Sequence, residues 1–383
     1  VIEILGGVRT PIGKFGGAMQ KLRARDIGSH AVREALARTG VAAENVDLAV
    51  VGLARQAGNG PNPGRLIGVG GGLPYTTPAY TVQQACLSGM LAVVSGAQAI
   101  ETGDAHVVLA GGVEHMSSVP HLSFDVRWGA RMGKAELVDA MFADGFIDPM
   151  CGKHMGKLCD ELAARYGISR EAQDAYALES QQRWAAARKS GADDAIIAPL
   201  PSVLDVDENP RPDSTLEGLA KLKPAFDPAG TVTPGNACGL ADGAAAVVFA
   251  SAEAAKRIGA KPKARIIGTA LAAIAPQDYA IAPVAATKKL LDEIDMTIEQ
   301  FDYVEINEAF AAQMLACIQD LGIDRSRVNV WGGGIAVGHP IGMSGVRVVL
   351  NAVHQLETLG GRYALAAICG NGGQGAAIAL ERV

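Results

Sequence analysis

Aromatic residues are scarce in this 383-residue chain, at 5%, and neither sign of charge dominates: 34 Lys and Arg stand against 40 Asp and Glu. The formal charge of -6 excludes a general nucleic-acid binder, which needs a basic face. It leaves room for an anionic ligand, because a local basic cluster holds phosphates even on an acidic protein. No uninterrupted apolar run reaches the length of a membrane span, so no transmembrane helix and no membrane association are expected. Cysteine is sparse and scattered, at Cys86, Cys151, Cys159, Cys238, Cys317 and Cys369. None of these shows the close spacing of a zinc site, so no metal is expected. A chain this long does not need disulfide staples. The six are therefore read as reduced thiols in a cytoplasmic setting. The missing initiator Met leaves room for a removed leader, and with it an organellar matrix.

What is abundant is small and apolar. Glycine numbers 47 and hydrophobic residues reach 49%, enough for a sizeable core of closely packed helices on a buried sheet. An internal repeat organises that material. Arg33 to Ala54 (REALARTGVAAENVDLAVVGLA) and Lys288 to Ala309 (KKLLDEIDMTIEQFDYVEINEA) align without a gap. Each reads as an amphipathic helix, a short connection, an acidic turn and an apolar strand. A helix opens near Cys86 in one half and near Gly342 in the other. Apolar strands ending in glycine follow, VVLAGG from Val107 and ALAAICGNGG from Ala364. Strand–helix alternation of this kind implies two α/β halves with mostly parallel central strands. Between them, Met116 to Leu240 has another character, with charged helices such as Arg170 to Ser190 and an acidic loop over Pro201 to Pro212. It is read as an insertion on the first half, which closes with the apolar strand Asp242 to Ala250.

Chemistry-bearing residues collect at strand ends and helix starts. Cys86, in QQACLSGM, sits at or just before a helix N-terminus, where free N–H groups and the helix dipole favour a thiolate. A small buried residue at a strand–helix turn is the competing reading. His339 lies between Gly338 and Pro340 in GGGIAVGHPIGMSG, a rigid setting that suits a base or an oxyanion donor; an incidental His in a Gly-rich turn competes with it. Asn307 and Glu308 follow an apolar strand directly, as a site at a strand's carboxyl end or as a helix cap. Cys369, in ICGNGGQG, ends a strand and enters a turn able to present N–H groups to an oxyanion, although a buried Cys is commonly inert packing. Together, two cysteines, one His and one Asn suit acyl transfer with a nucleophile and a separate acid/base thiol.

These residues resemble the thiolase family, acetyl-CoA acetyltransferases and 3-ketoacyl-CoA thiolases. The motifs that carry the resemblance are CLSG at Cys86, AGGVEHMS at Ala110, GNACGLADGAAA at Gly235, NEAFA at Asn307, GGGIAVGHPIGMSG at Gly332 and CGNGGQG at Cys369. They span essentially the whole chain. The resemblance implies an α/β thiolase fold: two repeated halves, each with a mixed five-stranded sheet, in a five-layered α-β-α-β-α arrangement with an inserted loop domain. It divides the chain into 1–115 with 241–262 as the nucleophile half, 116–240 as a coenzyme A-binding loop domain, and 263–383 as the half with the His and second Cys.

The resemblance also implies roles. Cys86 would take the acyl group, and His339 would activate it and help form one oxyanion hole. Asn307 would hold a water completing that hole. Cys369 would move the proton to or from the acetyl carbon. The N–H groups of Cys86 and Asn371 would form a second hole. His154 and Met155, in His-Met-Gly, resemble the form of short-chain members; Arg211 falls where a basic contact to the coenzyme nucleotide is placed, and Phe226 and Phe310 at pocket positions. Substrates would be acyl-CoA and coenzyme A, with no cofactor, and the assembly a homodimer or homotetramer. Ketosynthases, which lack a second active thiol, fit less well.

Several positions depart from the family pattern. Cys238 stands where Ser is usual, and Leu87 and Ala85 flank the nucleophile unusually. Tyr279 to Pro283 replaces a Met-Gly-x-Gly-Pro loop, and Asn371 replaces a Gly. These leave acyl-chain preference open between acetoacetyl-CoA and longer or unusual 3-ketoacyl chains. A non-catalytic acyl-CoA-binding subunit is the third reading.

Overall fold

A computed structural model describes residues 1–383. The first half contributes β1 (Ile2–Arg9), α1 (Ala24–Thr39), β2 (Leu48–Gly52), β3 (Ala79–Val82), α2 (Ser88–Thr102) and β4 (Val107–His115). After β4 the chain leaves the sheet, forms α3 (Met155–Tyr166) and α4 (Arg170–Ser190), and returns with β5 (Ala241–Ser251). The second half supplies β6 (Ala264–Ala273), α5 (Ala282–Ile294), β7 (Tyr303–Ile306), α6 (Ala311–Leu321), α7 (Ile341–Leu359), β8 (Tyr363–Gly370) and β9 (Gln374–Arg382).

The strands run in the order β7-β8-β9-β6-β1-β5-β4-β2-β3. β4, β2 and β3 pair in parallel, as do β7 and β8, while the others are antiparallel. The repeat is visible in detail. The short turns Ala43–Asn45 and Ile298–Gln300 occupy equivalent places between helix and strand. A register shift falls just before a glycine in both β1 (Ile4 to Gly6) and β6 (Ile266 to Gly268).

Two details differ from a symmetric pair of five-stranded sheets. The second half has four strands, and its fifth position is a single parallel bridge, Val304 to Val328. Val328 is followed by Asn329, whose φ of 45° turns the chain out of the extended region. The two sheets also touch at one edge, where Ile2–Ile4 pairs antiparallel with Ala264–Ile266.

Helices form three of the five layers and the sheets the other two. α1 covers one sheet from outside through Ile27, Ala31, Val32 and Ala35. α5 and α6 cover the other through Val284, Leu290 and Met314. α2 and α7 lie between the sheets, and their side chains join both sheets in one core. Helices buried this deeply are apolar on most of their faces, which explains their composition. Every residue of α7 from Ile341 to Leu356 is buried. The segment Ala85–Thr102 is apolar and long enough to cross a membrane by composition, and here it is this central helix.

Glycine sets how close the two central helices come. A Cβ on Gly89 would lie 2.7 Å from the Gly342 carbonyl oxygen, and one on Gly345 would strike the Met90 backbone nitrogen. This close approach brings the start of α2, which follows Cys86, against the start of α7, which follows His339. Gly345→Ala is expected to destabilise the protein by about 1–3 kcal/mol, because backbone cannot yield as a side chain does. The urea midpoint against wild type checks this; a change within about 0.5 kcal/mol would contradict it.

Candidate active site

Cys86 occupies a strained turn between β3 and α2. Ala85, a residue with a Cβ, is held at φ 48°, in the left-handed region. Ser88 clamps that turn: its Oγ accepts from Gln84 N–H at 2.9 Å and donates to the Ala85 carbonyl at 2.6 Å. A small residue at position 85 suits this geometry, since a branched side chain pays more at positive φ. The Cys86 N–H donates to no other residue.

Burial changes the expected electrostatics of Cys86. It pushes the thiol up to about 11, with Glu114 adding to the rise, and Arg55 and the Cys86 N–H opposing it. The helix-start position therefore does not give a resting thiolate; loss of hydration outweighs the favourable dipole.

His339 leads into α7 and is 4% exposed. Its Nδ1 lies 2.7 Å from Ser344 Oγ, and that hydroxyl lies 3.0 Å from the Pro340 carbonyl. The hydroxyl has one proton. Donated to the carbonyl, which can only accept, it leaves Nδ1 to carry the ring proton and Nε2 free as an acceptor. Burial, with the Arg347 charge, lowers His339 to about 3, so the ring is neutral. Asn307 packs against it, its Nδ2 3.5 and 3.4 Å from the two ring nitrogens. Arg347 donates to Asn307 Oδ1 at 2.9 Å, which turns the amide N–H groups toward the His. Asn307 thus stands behind the ring, not among the residues that line the cavity.

Cys369 ends β8 and is 2% exposed. Burial pushes its thiol well above the usual range, and the nearby thiols, Cys86 foremost, push it further. The Asn371 N–H, in the following turn, donates to no protein acceptor. Its side-chain amide donates to the Gly145 carbonyl, and Gly372 N–H donates to Asp148 at 3.0 Å.

Cys86, His339, Cys369 and Asn371 line one cavity of about 450 Å³. The same wall holds His154, Met155, Phe226, Cys238, Tyr279 and Phe310. His154 stacks on Phe226 with ring centroids 4.6 Å apart, and Phe226 meets Phe310 edge-on at 6.1 Å. His154 Nδ1 accepts from Gly156 N–H at 3.1 Å and so caps α3; burial lowers its pKa. Burial raises Cys238 to about 12, so its thiol stays protonated. Tyr279 donates to the Met155 carbonyl at 3.0 Å and lies 3.1 Å from Cys159 Sγ, tying the changed loop to the inserted helix. Arg211 lies apart. It is exposed and lines a small adjoining cleft, which shares Pro234 and Ala237 with the cavity.

Sequence reasoning missed Glu114 and Arg55, two buried charged residues, and left the partners of a third, Glu308, unread. Glu308 accepts from Tyr176, Ser180, Asn329 and the Ile335 N–H, joining α4 to the loops of Asn307 and His339. Glu114 accepts N–H groups of Ala54, Arg55 and Gly342, and burial pushes it to about 7. Arg55, past the carboxyl end of β2, lines the cavity. Its position at a strand's carboxyl end was the available signal. No group of three or more His, Cys, Asp or Glu side chains is placed to hold a metal ion.

Comparison with known proteins gives a consistent result. Residues 2–253 match the thiolase N-terminal domain and residues 260–382 the thiolase C-terminal domain. The chain is 46% identical to an acetyl-CoA acetyltransferase of Chromobacterium violaceum, over 100% of this chain and 99% of the relative. A crystal structure of human mitochondrial 3-ketoacyl-CoA thiolase in complex with CoA superposes with a TM-score of 0.97 at 39% identity, covering 100% of this chain and 98% of that one. An acetyl-CoA acetyltransferase from Bacillus anthracis superposes with the same score at 40% identity, with the same coverage.

Proposed function

The chain belongs to the thiolase family and is an acyltransferase, and from that premise we propose that Cys86 carries the acyl group in a reversible thiolysis and Claisen condensation with acetyl-CoA as the two-carbon partner. The observation that carries this reading is the convergence of Cys86, His339, Cys369 and Asn371 on one cavity from both halves of the fold.

In cleavage, the Cys86 sulfur attacks the 3-keto carbonyl. Neither a thiolate nor an imidazolium is favoured in the buried site, so the proton passes to His339 Nε2 as the C–S bond forms. The protonated His then donates to the new oxyanion, with Asn307 holding the ring from behind. The C–C bond breaks and the enolate of acetyl-CoA takes the Cys369 proton. A thiol kept well above its ordinary pKa is an acid that holds its proton until a strong base appears. Cys369 next takes the proton of incoming coenzyme A, whose sulfur attacks the acyl-Cys86 thioester. The free N–H groups of Cys86 and Asn371 suit the oxyanion of this second step. Cys86 leaves and recovers its proton from His339. Condensation reverses each step.

We place the pantetheine arm along His154, Met155, Phe226, Cys238 and Phe310, and the nucleotide toward Arg211; the continuity of the cleft with the cavity supports this. The side chains supply nucleophile, base and acid, so coenzyme A thioesters suffice without a cofactor. A reducing, cytoplasmic setting fits six free cysteines. A homodimer or homotetramer would cover the exposed Phe124, Trp128 and Met132, which are 71%, 90% and 96% exposed.

The test is thiolysis by pure protein across a series of uncharged 3-ketoacyl-CoA chain lengths. Acetoacetyl-CoA is expected to be cleaved; no cleavage of any member would contradict the reading. A steep fall beyond four carbons would assign a short-chain enzyme, and a maximum at longer chains a degradative 3-ketoacyl-CoA thiolase.

A further inference from the structure

Arg55 favours the Cys86 thiolate through its charge, but its side chain has no bonded partner of its own. Its residue is 5% exposed, and its guanidinium forms no ion pair within 4.0 Å. Nε and Nη1 are fully buried and without a hydrogen-bond partner. The guanidinium occupies space that only a glycine leaves free, since a Cβ on Gly145 would collide with it. The guanidinium lies over the Phe146 ring face, 5.9 Å from its centroid, a weak cation–π contact. An unpaired buried cation is costly, and its natural complement is an anion.

No carboxylate of the protein forms an ion pair with Arg55. Glu114 is close enough for the Arg55 charge to lower its pKa, but its oxygens accept the three backbone N–H groups of Ala54, Arg55 and Gly342. Asp139 also lines the cavity, and its Oδ1 accepts from the Met141 N–H at 2.8 Å with no pairing to Arg55. The location narrows the ligand further. Arg55 touches Gly145, whose carbonyl receives the Asn371 side chain from the turn after Cys369. It therefore stands at the catalytic end of the cavity, whereas Pro234 and Ala237 mark the end that continues toward Arg211.

We propose that Arg55 binds a carboxylate at the far end of the acyl chain, so that this enzyme favours 3-oxoacyl-CoA thioesters of dicarboxylic acids. The inference rests on the reading of Cys86 as acyl carrier. Guanidinium matches carboxylate in shape and charge, and a desolvated pair of this kind discriminates strongly against an uncharged chain. Cleavage of such a substrate releases acetyl-CoA and leaves on Cys86 a dicarboxylic acyl group shorter by two carbons, which coenzyme A then removes.

The test compares kcat/KM in thiolysis for two thioesters of equal length, a six-carbon 3-oxo chain ending in carboxylate and 3-oxohexanoyl-CoA. The purified wild-type protein is expected to favour the carboxylated substrate at least about tenfold. Arg55→Leu is expected to cut that ratio at least about tenfold, with Arg55→Lys in between. A wild-type ratio at or below one overturns the proposal, and this arm stands even if Arg55→Leu fails to fold. A ratio unchanged in a folded Arg55→Leu, with both rates falling together, also overturns it and makes Arg55 structural. Failure of the underlying reading looks different: neither thioester is cleaved and no acyl group appears on Cys86.

Discussion

Cys86→Ala is expected to lose at least about 10⁴-fold in kcat for thiolysis while leaving the fold intact. The side chain is small and lines the cavity, so its truncation removes little packing. The chemistry, by contrast, has no substitute. Cys238 shares the cavity, but burial pushes its thiol to about 12. Cys369 would need to act as nucleophile and proton donor in the same turnover. Retained binding of coenzyme A in the variant would separate lost chemistry from lost structure. Activity above about one hundredth of wild type would contradict the assignment.

Cys369→Ala is expected to divide the reaction in two. Breaking the C–C bond releases a carbanion-like enolate, which must be protonated as it departs. Removing that acid is expected to slow thiolysis of acetoacetyl-CoA by about 10²–10⁴-fold. Acetylation of Cys86 by acetyl-CoA releases a thiolate instead, which is a tolerable anion without an acid. That half-reaction, followed by exchange of labelled coenzyme A into acetyl-CoA, is expected to fall by about tenfold or less. Equal losses in both assays would show that Cys369 shapes the cavity without moving the proton. Cys369 is 2% exposed, so a thermal unfolding comparison should accompany the kinetics.

The repeat was the most legible feature of the sequence. Its gapless alignment placed α1 with β2 and α5 with β7, because amphipathic spacing and apolar runs are local properties of the chain. The helix from Arg170 to Ser190 was likewise bounded by signals on either side. Ser169 accepts from the Ala172 N–H at 3.2 Å, and Gly191 takes φ 70°. The site motifs were legible for the same reason: each sits where a strand ends or a helix starts.

What the sequence concealed depends on burial and on distant partners. The helix start at Cys86 suggested a stabilised thiolate, and only the surrounding walls show that desolvation wins. Glu308 looked like a helix cap or a site residue. Its ties to Tyr176 and Ser180 cross 132 and 128 positions, which no local pattern encodes. Nothing in the sequence around Arg55 marks it as buried and unpaired. The bridge at Val328 in place of a fifth strand depends on the Asn329 turn, another feature without a distinct local signature.

The most direct measurement is the intact mass and peptide map of the protein quenched after mixing with acetyl-CoA. One acetyl group is expected on each chain, on the peptide carrying Cys86, removed when free coenzyme A is added and absent in Cys86→Ala. An acetyl group on Cys369 or Cys238, or turnover with no acylated cysteine at all, would contradict the account.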